Sequence, residues 1–216
     1  MLLTAFGDEG GGGGGGATTS SRLPVTAAPP EPQVLATVGN LRVQSPVAQG
    51  GVTALGFHDS SEGALGLQPV GPQANEGLLA RLWRRMTGSS RTGLPWRQLE
   101  GGALRTLDVG AVAGTDVYSP VDGTVLAIRD RIVSGRKVGA EIELRPTTAP
   151  SLVVMVRNVS PDASLTVGAS VVAGSSKLGR VVDVARFEQQ ALADYAIDRG
   201  NNVEIQVHVS ASLGVP

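Results

Sequence analysis

Few residues of this chain could perform acid–base or metal chemistry, and most of them lie in one segment near its end. That segment alternates strictly between apolar and polar residues, so Glu204, Gln206 and His208 share one face of a strand. Asp108 is a carboxylate in mid-chain, and His58 is the only other histidine. A site of three imidazoles is therefore impossible in one chain, and the absence of cysteine excludes disulfides and thiolate ligands.

Each candidate also has an interpretation without chemistry. Asp108 fits a carboxylate at a turn or a strand end, and His58 fits a surface or packing histidine at the end of a predicted strand. The polar residues of the last segment fit a face that is solvated or paired with a neighbouring strand. A metal site that combines Asp108 with both histidines would require the two imidazoles to converge. These alternatives stay open on the sequence alone.

Short strands must position these side chains. Residues 107–128 predict two short antiparallel strands joined by a turn, in which Pro120 fixes φ and Asp122-Gly123 permits a tight reversal. Glycine-rich breaks recur along the chain. The predicted elements do not alternate between strand and helix, which argues against a Rossmann-type fold. The sequence therefore predicts a mainly β sandwich or barrel. The other predicted strands are 34–38, 41–47, 51–58, 138–146, 151–159 and 202–209.

Two segments change to a helical period. Apolar residues recur at helical spacing in 76–87, with Asn75 as the N-cap, and again in 186–198, with Asp183 at the start and Gly200 at the end. We therefore expect two helical insertions in the mainly β fold.

The first insertion, about residues 75–105, carries the one locally basic stretch of the chain. The chain as a whole has a net charge of -1. That net charge argues against a general nucleic-acid binder. The basic stretch fits either contact with an anionic polymer or membrane surface, or a solvated helix face. Its arginines are Arg81, Arg84, Arg85, Arg91, Arg97 and Arg105.

Residues 1–33 are rich in Gly, Ser, Thr and Pro and predict a disordered linker before a folded domain at 34–212. The apolar start MLLTAF is followed by Asp8-Glu9 and a run of glycines, so an export signal is incomplete. The segment MLLTAF fits the remnant of an export or anchor helix that the choice of start codon has shortened. It also fits a disordered N-terminus. No window approaches the roughly 18 apolar residues of a transmembrane helix.

Three sequence words in a fixed order resemble one enzyme family. They are 108–125 (DVGAVAGTDVYSPVDGTV), 167–179 (VGASVVAGSSKLG) and the terminal 204–209 (EIQVHV). Together they resemble the lysostaphin/LytM-type zinc endopeptidases of bacterial cell walls, over about 104–210 and more loosely over 41–58. The resemblance implies a duplicated-hybrid-motif β barrel or sandwich and cleavage of peptide cross-links in peptidoglycan.

The resemblance also implies a zinc ion, held by an Asp, by a His four residues before it and by the last His of an H-x-H word. The Asp is present as Asp108, but Leu104, Glu204 and Gln206 occupy the His positions, and Asn158 stands where a further catalytic His is expected. Leucine has no donor, and a glutamine oxygen is a poor zinc ligand. We therefore expect neither bound metal nor another cofactor, and no catalysis.

The sequence thus predicts an exported, catalytically silent LytM-like module of the cell envelope, secreted or membrane-tethered. Its partner would be peptidoglycan or a cell-wall hydrolase. The predicted ligand cleft consists of Asp108, Asn158, Glu204, Gln206 and His208.

Two other functions remain open. One is an active peptidoglycan metalloendopeptidase with an atypical ligand set, which would need zinc. The other is a lipoyl- or biotinyl-type carrier or a phosphotransferase-like barrel. The candidate carrier lysines, Lys137 and Lys177, both lack the flanking Met or Asp that such a carrier has.

Overall fold

A computed structural model describes residues 33–60, 63–75, 77 and 93–210. The predicted helix at 76–87 and the predicted linker at 1–33 fall almost entirely outside the described residues. Within the described ranges, no helix is long and apolar enough to cross a membrane. The strands there are β1 (Val34–Val38), β2 (Leu41–Gln44), β3 (Ala54–His58), β4 (Gln68–Pro69), β5 (Arg97–Gln98), β6 (Thr106–Gly110), β7 (Asp116–Tyr118), β8 (Gly123–Val133), β9 (Arg136–Pro146), β10 (Leu152–Pro161), β11 (Ser170–Val171), β12 (Lys177–Val181) and β13 (Asn202–Val209).

The strands form two sheets, so the prediction of a mainly β fold is confirmed. A three-stranded sheet has the order β2-β1-β4. A ten-stranded sheet has the path β11-β8-β9-β10-β13-β6-β3-β5, with β12 joining β10 to β7. Because this path ends at β11 and β5 in the described part of the chain, the expected closed barrel is not confirmed.

The core lies against the apolar face of the large sheet. The alternation of β13 predicts that Val203, Ile205, Val207 and Val209 share one face. The first three are fully buried in one apolar cluster with Phe57 of β3 and Leu107 of β6, whereas Val209 at the strand end is exposed. Burial of each such side chain is worth about 1.5–3 kcal/mol. Because the residues of β13 alternate between the two faces of the sheet, its polar residues must lie on the face opposite the core.

The predicted hairpin within 107–128 is wrong. β7 pairs with β12, and β8 pairs with β9 and β11, so the turn at 119–123 joins two strands that do not pair with each other. Ser119 closes this turn by donating to the Val121 carbonyl oxygen at 2.6 Å. Asp122 turns away and accepts a hydrogen bond from the Ala173 backbone N–H at 2.8 Å. Long-range pairing thus overrides the local turn signal.

The predicted helix at 186–198 is also wrong. In this part of the chain the structure has one 3-10 turn, at Val184–Arg186, which is followed by further turns. Asp183 makes no side-chain cap hydrogen bond, because its carboxylate accepts from Asn201 Nδ2 at 3.1 Å. Asn201 Oδ1 in turn accepts from the Ala185 backbone N–H at 2.9 Å. Side-chain hydrogen bonds therefore hold this backbone in turns, as they do when Asp and Asn compete with helix formation.

Candidate functional site

A row of five charged side chains crosses the polar face of the large sheet. Glu204 on β13 lies opposite Asp108 on β6 and opposite Arg157 on β10. Directly opposed residues on antiparallel strands project to the same face. Glu141 on β9 and Arg129 on β8 are also directly paired and extend the row. We call these five residues the charged row.

Arg157 is the central cation of the charged row. Its Nε donates to Glu141 Oε2 at 2.6 Å, and its Nη1 donates to Glu204 Oε1 at 3.1 Å. Burial lowers the pKa of Arg157, but Glu204 and Glu141 outweigh this effect and raise it. Burial, together with Asp108, raises the pKa of Glu204, and Arg157 opposes that shift. Arg157 thus holds together two carboxylates that would otherwise be buried without a cation.

His58 is paired with Asp108, at the β6 end of the charged row. Its Nε2 lies 3.3 Å from Asp108 Oδ2, and its Nδ1 lies 2.7 Å from the Asp59 carbonyl oxygen. The hydrogen bond to Asp108 raises the pKa of His58 to about 9, against burial, which lowers it. At neutral pH the imidazole is therefore a cation that donates from both nitrogens. Both ring nitrogens are therefore engaged in this arrangement, Nε2 with the Asp108 carboxylate and Nδ1 with the Asp59 carbonyl oxygen.

This pairing makes stability depend on pH. The folded pKa of His58 lies above its ordinary value of 6.5, so its contribution is fully present below pH 6.5 and is lost as pH rises through about 9. Between pH 6.5 and 9.5, we expect the free energy of unfolding of the wild type to fall by about 2 kcal/mol more than that of the His58→Gln variant. Denaturant unfolding at pH 6.5, 8 and 9.5 measures the difference. His208→Gln is the control, because burial lowers the pKa of His208 and its effect falls below this interval. Identical pH profiles for His58→Gln and the wild type would contradict the assignment.

A second polar row continues along β13. Gln206 Nε2 donates to Glu204 Oε1 at 2.8 Å and to Thr106 Oγ1 at 3.2 Å. His208 Nε2 lies 3.0 Å from Gln206 Oε1 and donates to it, since that oxygen only accepts. Burial, followed by the charge of Arg157, lowers the pKa of His208, which favours its neutral form. The polar face of β13 is thus paired with neighbouring side chains rather than solvated.

Leu104 and Asn158 lie outside this network. Leu104 packs against the apolar core, and its carbonyl oxygen accepts from the Leu67 N–H at 2.6 Å. Asn158 has a φ of 63° and donates from Nδ2 to Asn202 Oδ1 at 3.0 Å. Asn202 then donates to Gln190 Oε1 at 3.0 Å. The structure therefore brings together four of the predicted cleft residues, while Asn158 joins a separate amide cluster.

Two leucines cover one end of the charged row. Gly56 of β3 is paired with Asp108, so its α-carbon faces the same side of the sheet. A Cβ at Gly56 would lie 2.4 Å from Leu99 Cδ1 and 2.9 Å from Leu192 Cδ2. Leu192 is fully buried and belongs to the turns that replace the predicted helix. These turns and the loop after β5 therefore border the row on the Asp108 side.

The sequence reasoning missed Arg157 and Glu141. Glu141 and Glu143 alternate with the fully buried Ile142 and Leu144, a period-2 signal that could have placed both carboxylates on one polar face. Arg157 interrupts an otherwise apolar run, and its partners depend on the pairing of distant strands.

No protein-family model and no curated protein matches this chain. Several solved structures are similar, among them those of lysostaphin and pseudoalterin. The solution structure of lysostaphin has 15% identity and a TM-score of 0.36, over 70% of this chain and 44% of that one. Pseudoalterin, described as a novel M23 metalloprotease from the deep sea, has 14% identity and a TM-score of 0.34, over 76% of this chain and 74% of that one. This chain therefore spans under half of the lysostaphin chain, and values this low carry no argument about its chemistry.

The side chains present do not fit a catalytic zinc ion. Such an ion needs three protein donors and an open fourth position. In the described part of the chain, no three His, Cys, Asp or Glu side chains are grouped as metal ligands. Asp108 is hydrogen-bonded to a protonated His58, and Glu204 is bound by Arg157. Both carboxylates are therefore already neutralised by cations of the protein itself.

The lysines of the carrier alternative are both ion-paired. Lys137 Nζ lies 2.6 Å from Asp130 Oδ1, close to the turn of the β8–β9 hairpin. Lys177 Nζ lies 2.6 Å from Asp116 Oδ1, and this lysine lowers the pKa of Asp116. No observation on these residues favours a carrier.

Proposed function

We propose that this chain is a catalytically silent LytM-like module that binds peptidoglycan through the polar face of its large sheet. One observation carries the proposal. The carboxylates that could serve hydrolysis, Asp108 and Glu204, are each neutralised by a cation of the chain, His58 and Arg157. Activation of a water molecule would require a free base or an open metal position, and this pairing supplies neither.

The dimensions of the charged row suit an extended peptide. The row crosses five strands, β6, β13, β10, β9 and β8. Neighbouring strands lie about 4.8 Å apart, so four intervals span about 19 Å. At about 3.3 Å per residue, this length matches five or six residues of an extended chain. The row contains both acceptors (Asp108, Glu204, Glu141) and donors (Arg157, Arg129), which are the two kinds of group that the amides of a peptide stem laid across the strands require.

In this proposal the module lies outside the cytoplasm, in the cell envelope, because peptidoglycan is found there. Its partner is the wall polymer itself in this proposal, and a wall hydrolase is the second candidate.

The absence of catalysis predicts a result that needs no ligand. After incubation with zinc and dialysis against a weak chelator, the purified chain should retain no stoichiometric zinc and should clear no band in a peptidoglycan zymogram. The physical reason is that Leu104 offers no donor and that Asp108 and Glu204 are already paired. Retention of one zinc per chain, with a cleared band that a chelator abolishes, would support the active-enzyme alternative instead.

Binding to the wall is tested by sedimentation. The full chain should co-sediment with purified peptidoglycan, and Glu141→Gln should weaken this binding several-fold, because it removes a charge from the row at a side chain that is 18% exposed. Asp162→Asn is the matched control, since Asp162 lies in an exposed turn beyond β10. If the wild type stays in the supernatant, or if both variants weaken binding equally, the sheet face is not the wall-binding surface.

A further inference from the structure

The end of the charged row at the β8–β9 hairpin borders a surface concavity of about 400 Å³. Its lining is composed entirely of charged residues, which belong to β8, β9 and β10. They are Arg129, Asp130, Arg131, Glu141 and Arg157. Three guanidinium groups and two carboxylates therefore share one small space.

The carboxylates of this concavity are already engaged. Glu141 Oε2 accepts from Arg157 Nε at 2.6 Å. Asp130 Oδ1 lies 2.6 Å from Lys137 Nζ. Each guanidinium, in contrast, has five N–H donors and no acceptor. The lining therefore holds more hydrogen-bond donors than its own carboxylates can accept.

Arg131 shows this surplus most directly. Its Nη2 contacts Glu188 Oε1, whereas its Nη1 is buried and has no hydrogen-bond partner. A buried donor without an acceptor is unfavourable, and such groups in native proteins call for an explanation. The Arg131 side chain lines the concavity and is 24% exposed, so a ligand bound there lies beside the guanidinium that lacks an acceptor.

Arg129 supplies a second accessible guanidinium. Its side chain is 60% exposed, although its Nη1 contacts the buried Glu143. The remaining N–H groups of Arg129 are available on the solvent side. Guanidinium groups bind carboxylates through two parallel hydrogen bonds, which gives geometric specificity as well as energy.

We propose that this concavity binds the free carboxylate of a peptide, held by Arg129 and Arg131. This inference rests on the proposed function and deepens it: the peptide stem crosses the sheet along the charged row, and its carboxylate end lies at the hairpin. Arg157 keeps its structural role between Glu141 and Glu204 and is not a ligand-binding residue here.

The test uses the full chain and two short peptides that differ in one group. The probes are N-acetyl-dialanine with a free C-terminal carboxylate and the same peptide with a C-terminal amide. In NMR titrations, the free acid should shift the amide signals of the β8–β9 hairpin in a saturable way, and the amide should bind at least tenfold more weakly. Arg131→Gln should weaken binding of the free acid at least fivefold, and Arg129→Gln should weaken it as well. Arg136→Gln, an exposed residue of the same hairpin outside the concavity, should leave it unchanged.

The outcomes separate this inference from the proposed function. Equal binding of acid and amide, or equal effects of Arg131→Gln and Arg136→Gln, would overturn the carboxylate site even if the chain sediments with peptidoglycan. If the free acid binds at the hairpin as described but the chain does not sediment with peptidoglycan, the carboxylate site stands and the wall-binding function falls. Unchanged melting temperatures of the Gln variants show that a loss of binding is not a loss of folding.

Discussion

Replacement of Arg157 by methionine is expected to lower the free energy of unfolding by about 3–5 kcal/mol at pH 7. The Arg157 side chain is 30% exposed, and Glu204 and Glu141, which it contacts, are 17% and 18% exposed. Methionine keeps most of the apolar stem and removes the charge. The variant therefore leaves two largely buried carboxylates without their shared cation, beside a third carboxylate, Asp108.

The loss should also depend on pH in a defined direction. Burial and Asp108 already raise the pKa of Glu204, and Arg157 is the first cause that opposes the shift. Without Arg157 the pKa of Glu204 rises further, so the folded state favours the protonated acid. Because protonation removes the unpaired charge, the destabilisation should be largest at neutral pH and should decrease toward pH 5.

A double variant isolates the electrostatic cause. Arg157→Met combined with Glu204→Gln should regain part of the lost stability, because one of the two unpaired charges is gone. Arg136→Met is the control for the loss of an exposed arginine on a strand. Urea unfolding of the four proteins at pH 5 and pH 7 measures all these differences. A loss below about 1 kcal/mol, or one that does not change with pH, would show that Arg157 behaves as a surface ion pair.

The sequence allowed the strands to be predicted where burial is one-sided and periodic. The terminal strand at 202–209 has the predicted bounds, because its alternation admits only one register relative to the core. The strand at 138–146 was found for a similar reason, although it begins two residues earlier as β9. In both segments the pattern depends on neighbours in the chain and not on the topology.

The failures have a common physical cause, which is the pairing of distant segments. The hairpin signal at 119–123 is a genuine turn, yet β7 is paired with β12 instead of β8. The helical period at 186–198 is overridden because Asn201 binds both Asp183 and the Ala185 backbone N–H. Neither partner is near in sequence, so no local propensity reports on it.

The candidate site was predictable in part for the same reason. The shared face of Glu204, Gln206 and His208 follows from strand geometry alone. The contact of His58 with Asp108, however, depends on β3 lying beside β6, and that of Arg157 with Glu204 depends on β10 lying beside β13. Sequence alone identifies the carboxylates of such a site but not the cations that neutralise them.

The words behind the family resemblance include glycines that the fold itself requires. Gly123 lies near the end of the first word and is paired with Pro146. Gly179 ends the second word and is paired with Pro161. A Cβ at Gly123 would lie 2.2 Å from the Arg145 carbonyl oxygen. The resemblance therefore rests in part on glycines that backbone packing requires, whatever the chemistry of the polar face.

Gly179 lies where β12 packs closely against β10. A Cβ at Gly179 would lie 2.1 Å from the Ser160 carbonyl oxygen, a backbone atom that cannot move without breaking the β10–β12 pairing. Gly179→Ala should therefore lower the free energy of unfolding by about 3 kcal/mol. Gly66→Ala is the matched control, because nothing lies within 4 Å of its added Cβ. Thermal unfolding of both variants decides the point: a Gly179→Ala protein as stable as Gly66→Ala would mean that this word is not fixed by the close approach of β10 and β12, and that its glycine must be explained by function instead.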